Sequence, residues 1–311
     1  MATSTIVSSD CTVCGDAKWQ FVRAGRDLYQ PGDEDLFRLD RCLSCGQVMQ
    51  NPLPTPEQLS KGYSAQYAPY QPAWKQNGWP LWKILRQLTT WRRMRRLQRY
   101  GKGRMLLEVG CGAGDFLYAA RNAGWEVRAV EYSFALAETL RNELGYDVRS
   151  GDLVPGLWEH GSFDAIILWS VLEHLPNPGE ALRIASAYLK PGGAMFIQVP
   201  TLYGITQGMR FRDYWALLDL PRHLSFFSKE CLAALCDRAG MRLTVFKTPF
   251  LEIAWCYFAS VSNYSAHCPK PRRRAMTILS LSLFSLLALP MMALRAWRAR
   301  GTEAFSVAVK R

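Results

Sequence analysis

Short apolar runs alternate with amphipathic stretches of helical length between Arg104 and Pro200. MLLEVGCG reads as a buried strand that stops at glycines, and AGDFLYAARNAG as the helix after it. EVRAVEYS is a second strand and SFALAETLRNELG the next helix. YDVRSGD, FDAIILWS and AMFIQVP follow as strands, with NPGEALRIASAYLKPGG a helix between the last two. Asn177 can cap that helix, Pro178 suits its first position, and Pro191-Gly192-Gly193 predicts its end. Strands separated by helices of this length predict an α/β fold, a parallel sheet covered on both faces.

Upstream, apolar residues Leu81, Ile84, Leu85, Leu88, Trp91 and Leu97 recur at helical spacing, predicting a helix over 80–100. Before it lies a connector rich in Pro and Tyr, with a short helix at 56–63 started by Thr55 and Pro56. Downstream, residues 276–294 (MTILSLSLFSLLALPMMAL) run nineteen positions without a charge and are flanked by arginines on both sides.

Charge changes the picture in one place. The formal net charge is +12, and from Gln58 to Leu107 there are eleven Lys or Arg and no acid. The run Arg92, Arg93, Arg95, Arg96 and Arg99 invites an anionic partner: nucleic acid, a phosphorylated substrate or an acidic membrane face. A solvated helix face is the other reading. The opening MATSTIVSSDCTVC lacks the basic start and apolar run of a signal peptide, so a cytoplasmic location is expected.

Four of the nine cysteines form two CxxC pairs, Cys11/Cys14 and Cys42/Cys45, each followed by a glycine. Two such pairs supply the closed tetrahedral thiolate set that zinc prefers, and a closed site is structural. LFRLDRC is expected as the second strand of a hairpin between them. The expected division is a zinc-ribbon-like module at 1–54, a connector and basic helix at 55–103, and a catalytic domain at 104–311.

The chemistry gathers in the first turn of that domain. Gly110, Gly112 and Gly114 let the backbone pass close to a ligand over the strand's carboxyl end. A pyrophosphate-binding GxGxxG would want glycine at 115, where the chain has Asp115. Glu108 and Asp115 suit a ligand with a cationic near end. Glu131 ends the second strand, where a carboxylate can accept both hydroxyls of a ribose. Asp152, after the third strand, is placed to reach an adenine amino group or else to form a turn beside Gly151.

LLEVGCGAGDFL, VEYS, GDL, FDAIILWSVLEHLPNP and LKPGG, in this order and spacing, resemble the motifs of class I S-adenosylmethionine-dependent methyltransferases. The resemblance implies a Rossmann-like seven-stranded, mostly parallel sheet with an antiparallel last strand. It implies that the Gly110–Gly114 loop, with Cys111 and Gly112, cradles the methionine part, that Glu131 holds the ribose, and that Glu108 and Tyr132 belong to the cofactor-binding set. Asp152 and Leu153 would meet the adenine, with Trp169 and Ser170 lining the methyl-transfer end. The paired CxxC motifs and the NPLPTPE connector resemble zinc-binding front domains of bacterial sugar and polysaccharide-cluster methyltransferases. VLEHLPNP resembles the ubiquinone-biosynthesis O-methyltransferases.

A hydroxyl acceptor needs a proton acceptor, and His is the usual choice. Of the four histidines, His160 and His267 lie outside the motifs. His223, in DLPRHLSFFS, is a candidate base or a loop-bracing residue; His174, with Glu173, is a second candidate or an orienter of the LPNP turn. Tyr203, Arg210, Arg212, Tyr214 and Trp215 are candidate contacts for a sugar, glycan or lipid-linked acceptor. C-methylation of a sugar stays open, as does RNA methylation through the zinc module and basic helix.

The last hairpin of such a sheet must pair 241–250 with 303–311, so 251–302 is an insertion within one hairpin. A single membrane crossing would strand the last strand on the wrong side. Two short helices resting on one leaflet, or packing over the sheet or in a dimer contact, satisfy the topology.

Overall fold

The computed structural model describes residues 10–30, 35–62, 80–207, 214–250 and 300–311, with isolated positions between 252 and 298. The uncharged stretch 276–294 lies almost wholly outside the described residues, as do Arg210, Arg212 and His267. Among the described residues no helix is long and apolar enough to cross a membrane.

The elements in chain order are β1 (Trp19–Gly25), β2 (Phe37–Cys42), β3 (Val48–Gln50), α1 (Pro56–Gly62), α2 (Pro80–Tyr100), β4 (Met105–Val109) and α3 (Asp115–Asn122). After them come β5 (Glu126–Glu131), α4 (Phe134–Leu144), β6 (Asp147–Ser150), β7 (Phe163–Trp169), α5 (Pro178–Tyr188) and β8 (Leu189–Pro200). The chain closes with α6 (Leu202–Gln207), β9 (Ser225–Phe226), α7 (Lys229–Arg238), β10 (Met241–Lys247) and β11 (Glu303–Lys310).

Seven strands form the main sheet in the order β10-β11-β8-β7-β4-β5-β6. β8, β7, β4, β5 and β6 run parallel to one another, while β11 is antiparallel to both neighbours. The antiparallel closure by 241–247 and 303–310 agrees with the sequence. The order reverses at β4, so the carboxyl ends of β4 and β5 open a crevice at the switch point.

Local chemistry explains the boundaries. Thr55 and Gln58 cap α1 reciprocally, Oγ1 accepting from the Gln58 amide at 3.2 Å and Oε1 from the Thr55 amide at 3.0 Å. Asn177 Oδ1 accepts from the Glu180 amide and Pro178 opens α5. That helix ends at Tyr188, earlier than Pro191-Gly192-Gly193 suggested, because Leu189 is extended and already pairs with Phe163.

Both sheet faces are covered. One carries α2 and α3, with Met94, Leu97, Phe116 and Trp125 packed on Ile167, Phe196 and Phe305. The other carries α5 and α7 and reaches Cys11, Val13 and Cys42 of the amino-terminal module in one continuous core. That module is a second sheet, β1-β2-β3-β9, whose fourth strand comes from the catalytic part of the chain.

Candidate active site

The cofactor crevice begins at Gly110, which adopts φ +68° and whose missing Cβ would stand 2.7 Å from Val171 Cγ2. Only glycine fits there, bringing the end of β4 against the segment that follows β7. Glu131 is buried at the end of β5. Its Oε2 accepts the Gly112 amide at 2.8 Å and its Oε1 the Ser133 amide at 2.9 Å. Each oxygen keeps a further lone pair for a hydroxyl, the arrangement a ribose diol requires. Burial raises its pKa, and the backbone donors work against that rise.

Glu108 is 3% exposed and its Oε2 has no hydrogen-bond partner among the described residues. Burial pushes its pKa well above the carboxylate range, with the Arg93 charge opposing. Its unpaired oxygen at the end of β4 leaves a buried hydrogen-bonding position to be filled. Asp115 is engaged already, paired with Arg86 of α2. Cys111 is buried against Leu117 and Leu140. Tyr132 and Asp152 stand exposed at the crevice rim, and Leu153 is half-buried. The residues carried over by resemblance from Glu108 to Leu153 thus gather at the ends of β4, β5 and β6. They fit S-adenosylmethionine.

Trp169 lies within the core, its ring edge-on to Phe116 at 5.7 Å and tilted against Phe305 at 6.1 Å, with Arg93 over it at 5.3 Å. Ser170 follows with φ +55° and opens into a cavity of about 160 Å³. Arg93, Gln198, Glu252 and Glu303 share that lining. Gln198 Nε2 donates to Glu303 Oε2 at 2.7 Å, and Glu252 binds Arg92 at 2.7 Å and Arg96 at 2.6 Å. Burial raises the pKa of Glu303, with Glu252 adding to the rise. Sequence reasoning missed Gln198, Glu252 and Glu303. The available signal was a polar residue inside the buried run AMFIQVP and a carboxylate opening the last strand.

The basic helix is mostly turned inward. Arg86 pairs with Asp115, Arg92 and Arg96 share the one carboxylate of Glu252, and Arg93 sits over Trp169 near Glu108 and Glu303. Of the five-arginine run, Arg95 and Arg99 are exposed.

Two of the histidines meet between the segment that follows β7 and the loop that precedes β9. His174 ends a single 3-10 turn at Leu172–His174, and its ring lies 4.8 Å from that of His223. His174 Nδ1 donates to the Arg222 carbonyl at 3.0 Å and His223 Nδ1 to the Leu217 carbonyl at 2.8 Å. A carbonyl only accepts, so both Nδ1 atoms carry hydrogen and both Nε2 atoms are left as acceptors. Burial lowers both pKa values, and His223 beside it helps bring His174 down to about 3. Glu173 is buried with Oε2 unpaired among the described residues, and burial raises its pKa. Glu173, His174 and His223 offer three ligand atoms within 4.8 Å of one another. Tyr203 is exposed, whereas Trp215 is buried and donates to the Gly204 carbonyl, a packing role.

The loop carrying His223 is held by the amino-terminal module. Gln50 Nε2 donates to the Pro221 carbonyl at 2.8 Å and the His223 carbonyl at 2.9 Å. Arg222, fully buried, is gripped by both oxygens of Asp27 at 3.0 Å and by Asp219 at 2.7 Å. In that module Cys11 Sγ lies 3.5 Å from Cys45 Sγ, and Cys14 Sγ 3.5 Å from Cys42 Sγ. All four sulfurs fall within 4.8 Å of one another, close to the roughly 3.8 Å edges of a tetrahedron with 2.3 Å metal–sulfur bonds. Gly15 and Gly46 close matching turns, their amides donating to Cys11 and Cys42.

Residues 82–244, just over half of the chain, match the methyltransferase-domain family. Over 189 residues the chain is 30% identical to a ubiquinone biosynthesis O-methyltransferase of Xanthomonas axonopodis pv. citri, covering 54% of this chain and 77% of the relative. It is 36% identical over 102 residues to the enzyme of the same name from Caulobacter vibrioides, covering 31% and 40%. A crystal structure assigned as a sarcosine dimethylglycine methyltransferase from Galdieria sulphuraria aligns over 73% of this chain and 86% of that one. With a TM-score of 0.50 and 15% identity it speaks for the fold alone. On this match the chain belongs to the methyltransferase family and takes S-adenosylmethionine as its methyl donor.

Proposed function

We propose that the enzyme methylates a hydroxyl oxygen of a small, polyhydroxylated acceptor such as a sugar or glycan unit. The observation that carries this reading is the lining of the cavity at the carboxyl ends of β7 and β8. Ser170, Gln198, Glu252, Glu303 and arginines surround a space of about 160 Å³, the surface a ring of hydroxyls needs and a prenylated aromatic ring does not. The names of the curated relatives support oxygen as the methylated atom.

When bound, S-adenosylmethionine supplies an electrophilic methyl group at a sulfonium. The chain's part is to hold the acceptor hydroxyl and take its proton. His223 is assigned as the base, because the Nδ1 bond to Leu217 leaves Nε2 as an acceptor. Glu303 is the second reading, favoured by its place in the cavity wall and its raised pKa. The four thiolates are assigned a structural zinc, for their spacing fits the metal and the closed set leaves no substrate position. The inward pairing of α2 favours a small-molecule acceptor over nucleic acid.

The test is transfer of labelled methyl from S-adenosylmethionine to panels of sugars and phenols by the full chain, repeated with His223→Asn and Glu303→Gln. Label on a sugar oxygen, with His223→Asn losing turnover while S-adenosylhomocysteine still binds, supports the reading. Transfer confined to phenols sinks the sugar assignment. A His223→Asn enzyme at full rate beside an inactive Glu303→Gln moves the base to Glu303.

A further inference from the structure

Beside the polar cavity runs a second, larger hollow that the proposed reaction has not used. It measures about 610 Å³ and lies between the last two turns of α2 and the strands β10 and β11. Arg95, Arg96, Arg99, Tyr100, Lys247 and Phe305 line it, and among the described residues no carboxylate does. Arg96 also lines the polar cavity, so one guanidinium is the wall between the two spaces.

The charges divide sharply at that wall. Arg96 is paired at 2.6 Å with Glu252, a carboxylate it shares with Arg92, and lies over Phe305 at 4.4 Å. Arg95 rests on the Trp91 ring at 5.0 Å and Arg99 on the Tyr100 ring at 5.4 Å. Lys247 Nζ reaches the Tyr100 hydroxyl at 3.5 Å. A guanidinium stacked on a ring has its plane fixed and keeps its N–H edge for an anion. The sequence offers little to neutralise these groups from nearby. Residues 58–107 contain no Asp or Glu, and neither do 253–302, which leaves Glu252 and Glu303 on the polar side. Three cations stand together at exposed positions, next to a polar pocket of sugar size. The like charges repel one another, and that repulsion is relieved by a multiply charged anion.

We infer that Arg95, Arg99 and Lys247 form the subsite for a phosphate or diphosphate group on the acceptor, with the methylated ring seated across Arg96 in the polar cavity. The inference rests on the methyltransferase reading and deepens it: the acceptor is an activated, phosphate-linked sugar rather than a free one. Two sources share this chemistry, a nucleoside diphosphate sugar and a prenyl diphosphate-linked sugar.

The test is calorimetric titration of inorganic pyrophosphate into the full chain, compared with Arg95→Gln/Arg99→Gln and with Lys247→Gln. The expected result is saturable binding that weakens about tenfold or more in the double variant and measurably in the single one, as loss of charge-assisted hydrogen bonds demands. S-adenosylhomocysteine affinity, measured on the same samples, should not change. UDP binding more tightly than pyrophosphate would support the nucleotide-linked source, and a short-chain prenyl diphosphate doing so the lipid-linked one. Absence of pyrophosphate binding, or equal binding by the variants, overturns the subsite. So does flotation with phosphatidylglycerol vesicles by a chain that ignores pyrophosphate and UDP, since the patch is then a membrane contact. Failure to bind S-adenosylhomocysteine while pyrophosphate binds removes the donor reading, and with it the acceptor role of the groove.

Discussion

Asp27→Ala should destabilise the protein by about 3 kcal/mol, although Asp27 belongs to the amino-terminal module. Its two oxygens hold the Arg222 guanidinium through hydrogen bonds of 3.0 Å each, with the arginine side chain 0% and the aspartate 4% exposed. Removing one partner of a buried ion pair typically costs about 3–5 kcal/mol, because the charge left behind has lost both its water and its counter-ion. Two charge-assisted hydrogen bonds at about 1.5–3 kcal/mol each give a similar range. Asp219 still faces Arg222 at 2.7 Å, which sets the expectation at the lower end. The assay is equilibrium urea unfolding followed by tryptophan fluorescence, as a double-mutant cycle with Arg222→Met. The loss on Asp27→Ala should largely vanish when residue 222 is already Met. A loss under about 1 kcal/mol, or one unchanged in the Met background, would refute the claim that this pair ties the amino-terminal module to the loop bearing His223.

Glu131→Ala should abolish measurable S-adenosylhomocysteine binding by calorimetry, since it removes the diol acceptor and frees the Gly112 and Ser133 amides together; retained affinity would move the ribose site elsewhere. Metal analysis should find one zinc per chain, lost in Cys42→Ser. That variant should also lose turnover, because the sheet holding the thiolates includes Ser225–Phe226 beside His223. His174 is held neutral by burial and by His223, its pKa falling to about 3 from an ordinary 6.5. The unfolded chain therefore takes up the proton first, and this contribution is full above about pH 6.5 and lost as pH falls toward 3, at up to about 1.4 kcal/mol per pH unit. Urea midpoints between pH 7.5 and 5 should fall less steeply for His174→Asn than for the parent, and equal slopes would contradict the buried neutral state.

The sequence by itself determined what depends on local pattern. Glycines at 110, 112 and 114 after a buried strand, an acid ending the next strand, and helix caps at Thr55 and Asn177 each act within a few residues, so spacing reveals them. The CxxC pairs were legible for the same reason: each knuckle is one five-residue turn. Tertiary structure alone decided how charge is spent. The basic run from Arg92 to Arg99 looked outward-facing in the sequence, yet Arg92 and Arg96 meet Glu252, more than 150 residues away. Gln198 and Glu303 meet because β11 inserts between β8 and β10, a pairing that no local period encodes. The hold of the amino-terminal module on the His223 loop, through Gln50 and Asp27, is likewise a contact between segments more than 170 residues apart. Residue type can show that a buried charge needs a partner, and only the packed chain selects which one.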